Sequence, residues 1–137
     1  MAKASDKSSK ESKQRWCIDL DWFKQNDRSF SVLAQDGLCP KCRQKLKIGK
    51  GEVSPAKILS AIKSCCAKAP GFISGKLPVA ESVFRIFLAN GNEPLDLEDL
   101  QNQLNERRSE GAYRVSAETL LSILSHNEYY GLCEAKG

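Results

Sequence analysis

Apolar residues along the chain follow two spacings, every second residue near the start and every third or fourth residue after that. In residues 16–23 (WCIDLDWF), Trp16, Ile18, Leu20 and Trp22 alternate with Asp19 and Asp21, as on a strand. Asp19 is equally placed to cap a short helix running to Gln25, and this helix is the preferred reading. Residues 29–35 (SFSVLAQ) put Phe30, Leu33 and Ala34 on one helical face, with Asp36-Gly37 as the stop. A longer helix is expected after Ser54, with Pro55 in its first turn. Its stripe holds Ile58, Leu59, Ile62, Cys65 and Cys66, and Pro70-Gly71 closes it.

Three further helices are predicted in the last sixty or so residues. Pro78 opens the first, where Ala80, Val83, Phe84, Phe87 and Leu88 share a face up to Asn90-Gly91. Asp96 caps the second, which carries Leu97, Leu100 and Leu104. Ser116 caps the third, with Leu120, Leu121 and Leu124 turned inward. An extended run (YYGLC, 129–133) follows, and Tyr113-Arg114-Val115 is its expected partner in a two-stranded ribbon. The fold class is mainly α.

With 137 residues, the chain suits one domain or two small ones. At 41% hydrophobic and 28% charged it has an ordinary globular composition, and no run approaches the ~18 apolar residues of a membrane helix. Residues 1–14 place Lys3, Lys7, Lys10 and Lys13 among serines with no apolar stretch behind them. A basic disordered tail is therefore expected, with no secretory leader, no membrane partner and a cytoplasmic location. The expected organisation is this tail (1–14), a zinc-binding helical module (15–70), a linker (71–76, GFISGK) and a second helical module (77–133). Charge divides along the same line. Residues 1–76 hold 16 Lys/Arg against 7 Asp/Glu, +9, and residues 77–137 hold 5 against 10, −5, which together give the net +4. Such separation points either to a polyanion met by the first half or to attraction between the halves.

Six cysteines carry the candidate chemistry: Cys17, Cys39, Cys42, Cys65, Cys66 and Cys133. Cys39-Pro40-Lys41-Cys42 is a CxxC knuckle, whose spacing lets two thiolates reach one ion at ~2.3 Å. Cys65 and Cys66 complete a four-thiolate set after a loop and one helix. Neighbours on a helix diverge by about 100°, so two adjacent ligands are unusual there, though feasible at a fraying helix end. A set in which Cys17 replaces one of that pair is the alternative. The same motif also admits a thiol–disulfide redox pair, although no βαβ pattern surrounds it. Cys133 reads as a small buried hydrophobe. One structural zinc is the expected cofactor, because four thiolates leave no open position for water or substrate. His126, at a helix end, is expected to be a surface residue rather than a ligand.

The stretch VAESVFRIFLANGNEPLDLEDLQNQL, taken with SAETLLSILSHNEYYGL, resembles winged-helix domains of the helix-turn-helix class, the HARE-type variety in particular. The shared features are a first helix ending in NG, a PLDLEDL second helix and a third helix leading to an aromatic-rich strand. The chain as a whole resembles small bacterial zinc-knuckle proteins with the same WCIDLDW and CPxC segments, which implies no activity. The winged-helix resemblance implies DNA binding through the third helix. However, Glu118 to Glu128 (ETLLSILSHNE) contains no Lys or Arg, and phosphate contacts supply most non-specific affinity. Only Ser122, Ser125, His126 and Asn127 remain there to read base edges, while Arg107, Arg108 and Arg114 lie nearby for backbone contacts.

The expected nucleic-acid surface, for DNA or RNA, is therefore the zinc half. Lys41, Arg43, Lys45, Lys47 and Lys50 project to one side of the loop after the knuckle if that loop is extended. Trp16, Trp22 and Phe23 read as core aromatics rather than a base-stacking platform. The alternative is a protein-interaction adaptor working through the acidic C-terminal helices. No paired carboxylates, Ser-His-Asp set or Gly-rich phosphate loop is present, so neither an enzyme nor a small-molecule substrate is expected.

Overall fold

The computed structural model describes residues 14–47, 53–69, 72–74, 76–108, 114–126 and 129–135. Among these the protein is mainly helical, with a small three-stranded sheet. The order is β1 (Arg15–Ile18), α1 (Leu20–Gln25), α2 (Phe30–Ala34), α3 (Pro40–Lys45), α4 (Pro55–Ser64), α5 (Val79–Ala89), β2 (Leu95–Asp96), α6 (Leu97–Arg107), α7 (Ala117–His126) and β3 (Leu132–Glu134). Short 3₁₀ turns at Gln35–Gly37 and Cys66–Lys68 follow α2 and α4.

Both periodicities read in residues 16–23 are real, in succession. Trp16 and Ile18 are buried on β1, and Asp19 then breaks the strand and caps α1, accepting the Asp21 N–H at 3.0 Å. The caps expected at Ser54, Asp96 and Ser116 also form, and Ser29 adds another. Ser29 Oγ accepts from Val32 N, Ser54 Oγ from Lys57 N, an Asp96 carboxylate oxygen from Asp99 N and Ser116 Oγ from Thr119 N. Each satisfies one amide that a helix start leaves without a partner.

Strand order is β2-β1-β3, with β1 antiparallel to both neighbours. This corrects the expected ribbon at Arg114 and Val115, while Tyr113 lies outside the described residues. β3 pairs with β1, while the Val115 backbone is taken by α6, since Val115 N–H donates to Asn105 Oδ1 at 2.7 Å. Its carbonyl accepts from Asn105 Nδ2 at 3.1 Å and Gln101 Nε2 at 3.0 Å. A carbonyl and an amide already bound to side-chain amides are not available to a ladder.

One core runs through both halves of the chain. Phe23, Phe30, Phe84 and Tyr130 form a succession of ring contacts with centroids 5.6, 6.0 and 5.2 Å apart, which joins α1 and α2 to α5 and the segment before β3. Within the stretch 71–76, Phe72 and Ile73 are themselves buried, and Arg85 lies over the Phe72 ring. On α7, Leu120 and Leu124 point inward as expected. Leu121 does not; it is 39% exposed, about 100° around the helix from Leu120. No helix among the described residues is long and apolar enough to cross a membrane.

Candidate metal centre

Cys39, Cys42, Cys65 and Cys66 come together, with all four sulfurs within 4.8 Å of one another. Pro40 cannot donate an N–H and starts α3, so Cys39 sits at the N-cap with Cys42 in the first turn. The second pair is released by the end of α4. The helix stops at Ser64, and Cys65 leaves helical geometry at φ −133°, ψ −67°. That change of direction lets two adjacent thiols face the same point, which a continuing helix forbids.

The sulfur spacings suit a tetrahedral ion. Cys39 Sγ lies 3.5 Å from Cys66 Sγ and 4.0 Å from Cys65 Sγ. Metal–sulfur bonds of ~2.3 Å correspond to tetrahedral edges of about 3.8 Å. Cys42 and Cys66 are buried, at 5% and 2% exposure, while Cys65 is exposed. The Cys39 N–H donates to Cys66 Sγ at 3.2 Å, the kind of backbone contact that offsets sulfur charge. The backbone N–H of Cys42, with the Cys66 thiol second, brings the Cys39 thiol down to about 7. Burial, with the Cys66 contact second, pushes Cys42 up to about 12, and burial is also the main cause raising Cys66.

Cys17 is not in this group. It lies on β1 directly opposite Cys133 on β3, a pairing that the sequence did not suggest. His126 also lies elsewhere, with Nδ1 2.9 Å from the Ser122 carbonyl oxygen at the end of α7.

The cationic surface differs from its expectation. The chain after Cys39 is the helix α3 rather than an extended loop, so Lys41 and Lys45 share a face from which Arg43 diverges. Arg43 is exposed, yet its Nη1 donates to the Gln35 carbonyl at 2.6 Å and is occupied within the protein. Lys41, Lys45 and Lys47 are exposed, and Lys50 lies outside the described residues. Arg108, expected near the third helix for backbone contacts, is buried. Its Nη1 donates to the Leu77 carbonyl at 2.6 Å and to Ser82 Oγ at 3.1 Å, which ties the end of α6 to the start of α5.

Comparison of the chain with family models, curated proteins and solved structures returns no match.

Proposed function

We propose that the four cysteines hold one structural zinc ion and that the protein is a non-enzymatic binding factor whose basic metal half meets nucleic-acid phosphates. The observation that carries this reading is the set of four converging sulfurs. Soft thiolates in tetrahedral array favour zinc over harder divalent ions, and four of them fill its coordination sphere. The ion's role is then to join α3 to the turn after α4. A thiol–disulfide reading of Cys39 and Cys42 ranks lower, because two further thiols stand within coordinating distance of the pair.

Lys41, Lys45, Lys47, Lys63 and Lys68 are exposed on segments that carry or adjoin the four cysteines. A dication with four thiolates is formally doubly negative, so part of this lysine field offsets the centre and the rest faces outward. The succession α5, α6, α7, each packed on the next, supports a helix-turn-helix-like unit as the finer description of the later half. Its third helix carries no Lys or Arg and is assigned no phosphate contact.

A second reading, a protein adaptor, is favoured by Leu121. This exposed leucine borders a groove shared with Trp16, Leu97 and Ala117 and flanked by Asp96 and Glu98.

Fluorescence anisotropy of the zinc-loaded full chain on duplex and single-stranded oligonucleotides separates the two readings. Phosphate binding predicts a log–log salt slope of about 0.9 per contact on duplex and loss of binding in the Lys41→Ala/Lys45→Ala/Lys47→Ala variant. No salt-sensitive binding at about 50 mM salt overturns it. The adaptor then becomes the better account if Leu121→Glu abolishes capture of a protein partner.

A further inference from the structure

We propose that Cys17 and Cys133 form a second thiol site, closed reversibly as a disulfide that joins β1 to β3. The two are register partners in the antiparallel ladder, flanked by Trp16↔Glu134 and Ile18↔Leu132. Their positions are fixed by the bonds on either side. Ala135 N–H donates to the Arg15 carbonyl at 2.7 Å and Asp19 N–H to the Gly131 carbonyl at 2.8 Å. Ladder bonds recur at every second residue, so Cys17 and Cys133 form the hydrogen-bonded pair between these two. In such a pair the Cα atoms lie about 5.5 Å apart, within the range that disulfides occupy.

Opposite residues in a ladder project to the same face. Here that face is the outer one, because Trp16 and Ile18 on either side of Cys17, and Leu132 beside Cys133, are buried while both cysteines are half-buried. The thiols are therefore within reach of each other and of a small reagent. The Cβ atoms of a hydrogen-bonded ladder pair stand about 5.5 Å apart, against a disulfide mean near 3.8 Å. Closure thus draws the strands together, and strain of that kind makes a disulfide easier to reduce. The three-residue β3 is the shorter strand of the pair and yields the more readily.

Glutathione disulfide is a sufficient oxidant. One protein thiolate attacks a sulfur of the small disulfide and expels one glutathione, leaving a mixed disulfide. The second protein thiolate attacks the protein-bound sulfur and expels the other glutathione. The protein thiols lose two electrons, the small disulfide gains them, and both protons end on released glutathione.

The test uses zinc-loaded full chain in anaerobic glutathione buffers of graded ratio, with peptide mapping under non-reducing conditions. The expected result is one crosslinked peptide pair, containing Cys17 and Cys133, that reverts under excess reduced glutathione. The linked form is expected to unfold at a higher temperature, and neither Cys17→Ser nor Cys133→Ser should show the link or the shift. Zinc content measured alongside keeps this outcome separate from the metal reading. Thiols at both positions that stay unlinked at every ratio, or that accumulate only as separate glutathione adducts, overturn the proposal. So does a link that forms only in denaturant.

Discussion

Asn92 continues the sheet beyond the end of β2. Its Oδ1 accepts the Ile18 N–H at 2.8 Å and its Nδ2 donates to the Ile18 carbonyl at 2.9 Å, so one side-chain amide does what a further ladder residue would do. β2 itself reaches only Arg15 and Trp16 of β1. Asn92 holds a left-handed φ of 65°, a conformation that asparagine tolerates better than most residues. Asn92→Gly keeps that backbone and removes both bonds, with an expected cost of about 1–3 kcal/mol. Asn92→Ala should cost somewhat more, since alanine resists the backbone as well. Urea titration measures this as a lower midpoint at unchanged slope, and an unshifted Asn92→Gly midpoint would show that the two bonds contribute nothing net.

Two glycines with positive φ give a contrast within one molecule. At Gly131, φ is 65° and an added Cβ would lie 2.6 Å from Cε2 of the buried Phe23. At Gly91, φ is 77° and the nearest atoms belong to the flexible Lys63 side chain, at 3.4 Å. Gly131→Ala therefore adds overpacking to backbone strain, about 2–4 kcal/mol, while Gly91→Ala carries the strain alone, about 1–2 kcal/mol. Equal thermal shifts for the two variants would contradict the packing at Phe23.

Chelation should loosen a limited region. α3 has six residues and one buried side chain, Cys42, so without the metal it opens more readily than its neighbours. Its neighbours α2, α4 and α5 belong to the continuous core and should persist. Amide exchange on the metal-free protein is expected to show reduced protection across 39–46, from transient opening of an α3 that is folded most of the time, and full protection in α5 and α6. About one zinc per chain should be lost on Cys→Ser change at 39, 42, 65 or 66 and retained on Cys17→Ser. Zinc loss in Cys17→Ser would place that residue in the centre.

In the metal-free form the cysteines of the cluster should differ in reactivity. Cys39, held down to about 7 by the Cys42 N–H, is largely thiolate at mildly alkaline pH, while Cys42, pushed up to about 12 by burial, is not. Timed iodoacetamide labelling at about pH 7.5 should modify Cys39 ahead of Cys42 and Cys66. Stability follows the same signs. The folded value for Cys39 lies below its ordinary 9.0, so its contribution is absent below about pH 7 and grows as pH rises toward 9. Cys42 lies above 9.0, so its contribution is lost between about pH 9 and 12. Denaturation midpoints of the metal-free protein should therefore be highest near pH 9 as far as these two groups decide, and a midpoint falling from pH 7 to 9 would contradict the Cys39 shift.

Much local order was readable where it depended on local chemistry, though not α3, where Pro40 opens a helix in place of the expected extended loop. Asp19, Ser29, Ser54, Asp96 and Ser116 are helix starts because a short polar side chain can bind an amide two or three residues ahead, and that geometry is contained in the sequence. The CPKC knuckle was readable for the same reason. The stripe of α7 was less so: three leucines at 120, 121 and 124 look equivalent until a neighbouring element buries two of them.

The sequence by itself determined the helices other than α3, most of their caps, and four thiols at spacings from which a loop and a helix can return to one point. Tertiary structure alone decided which strands pair and which side chains remain outside. The Val115 backbone is bound by Asn105 and Gln101, so β3 is paired instead by β1 from the far end of the chain, and β1 is the middle strand. That choice placed Cys17 opposite Cys133, although 115 residues separate them in sequence. Periodicity reports how a residue faces its neighbours along the chain; partners so distant are selected by competition among backbone groups for hydrogen bonds and among apolar faces for burial.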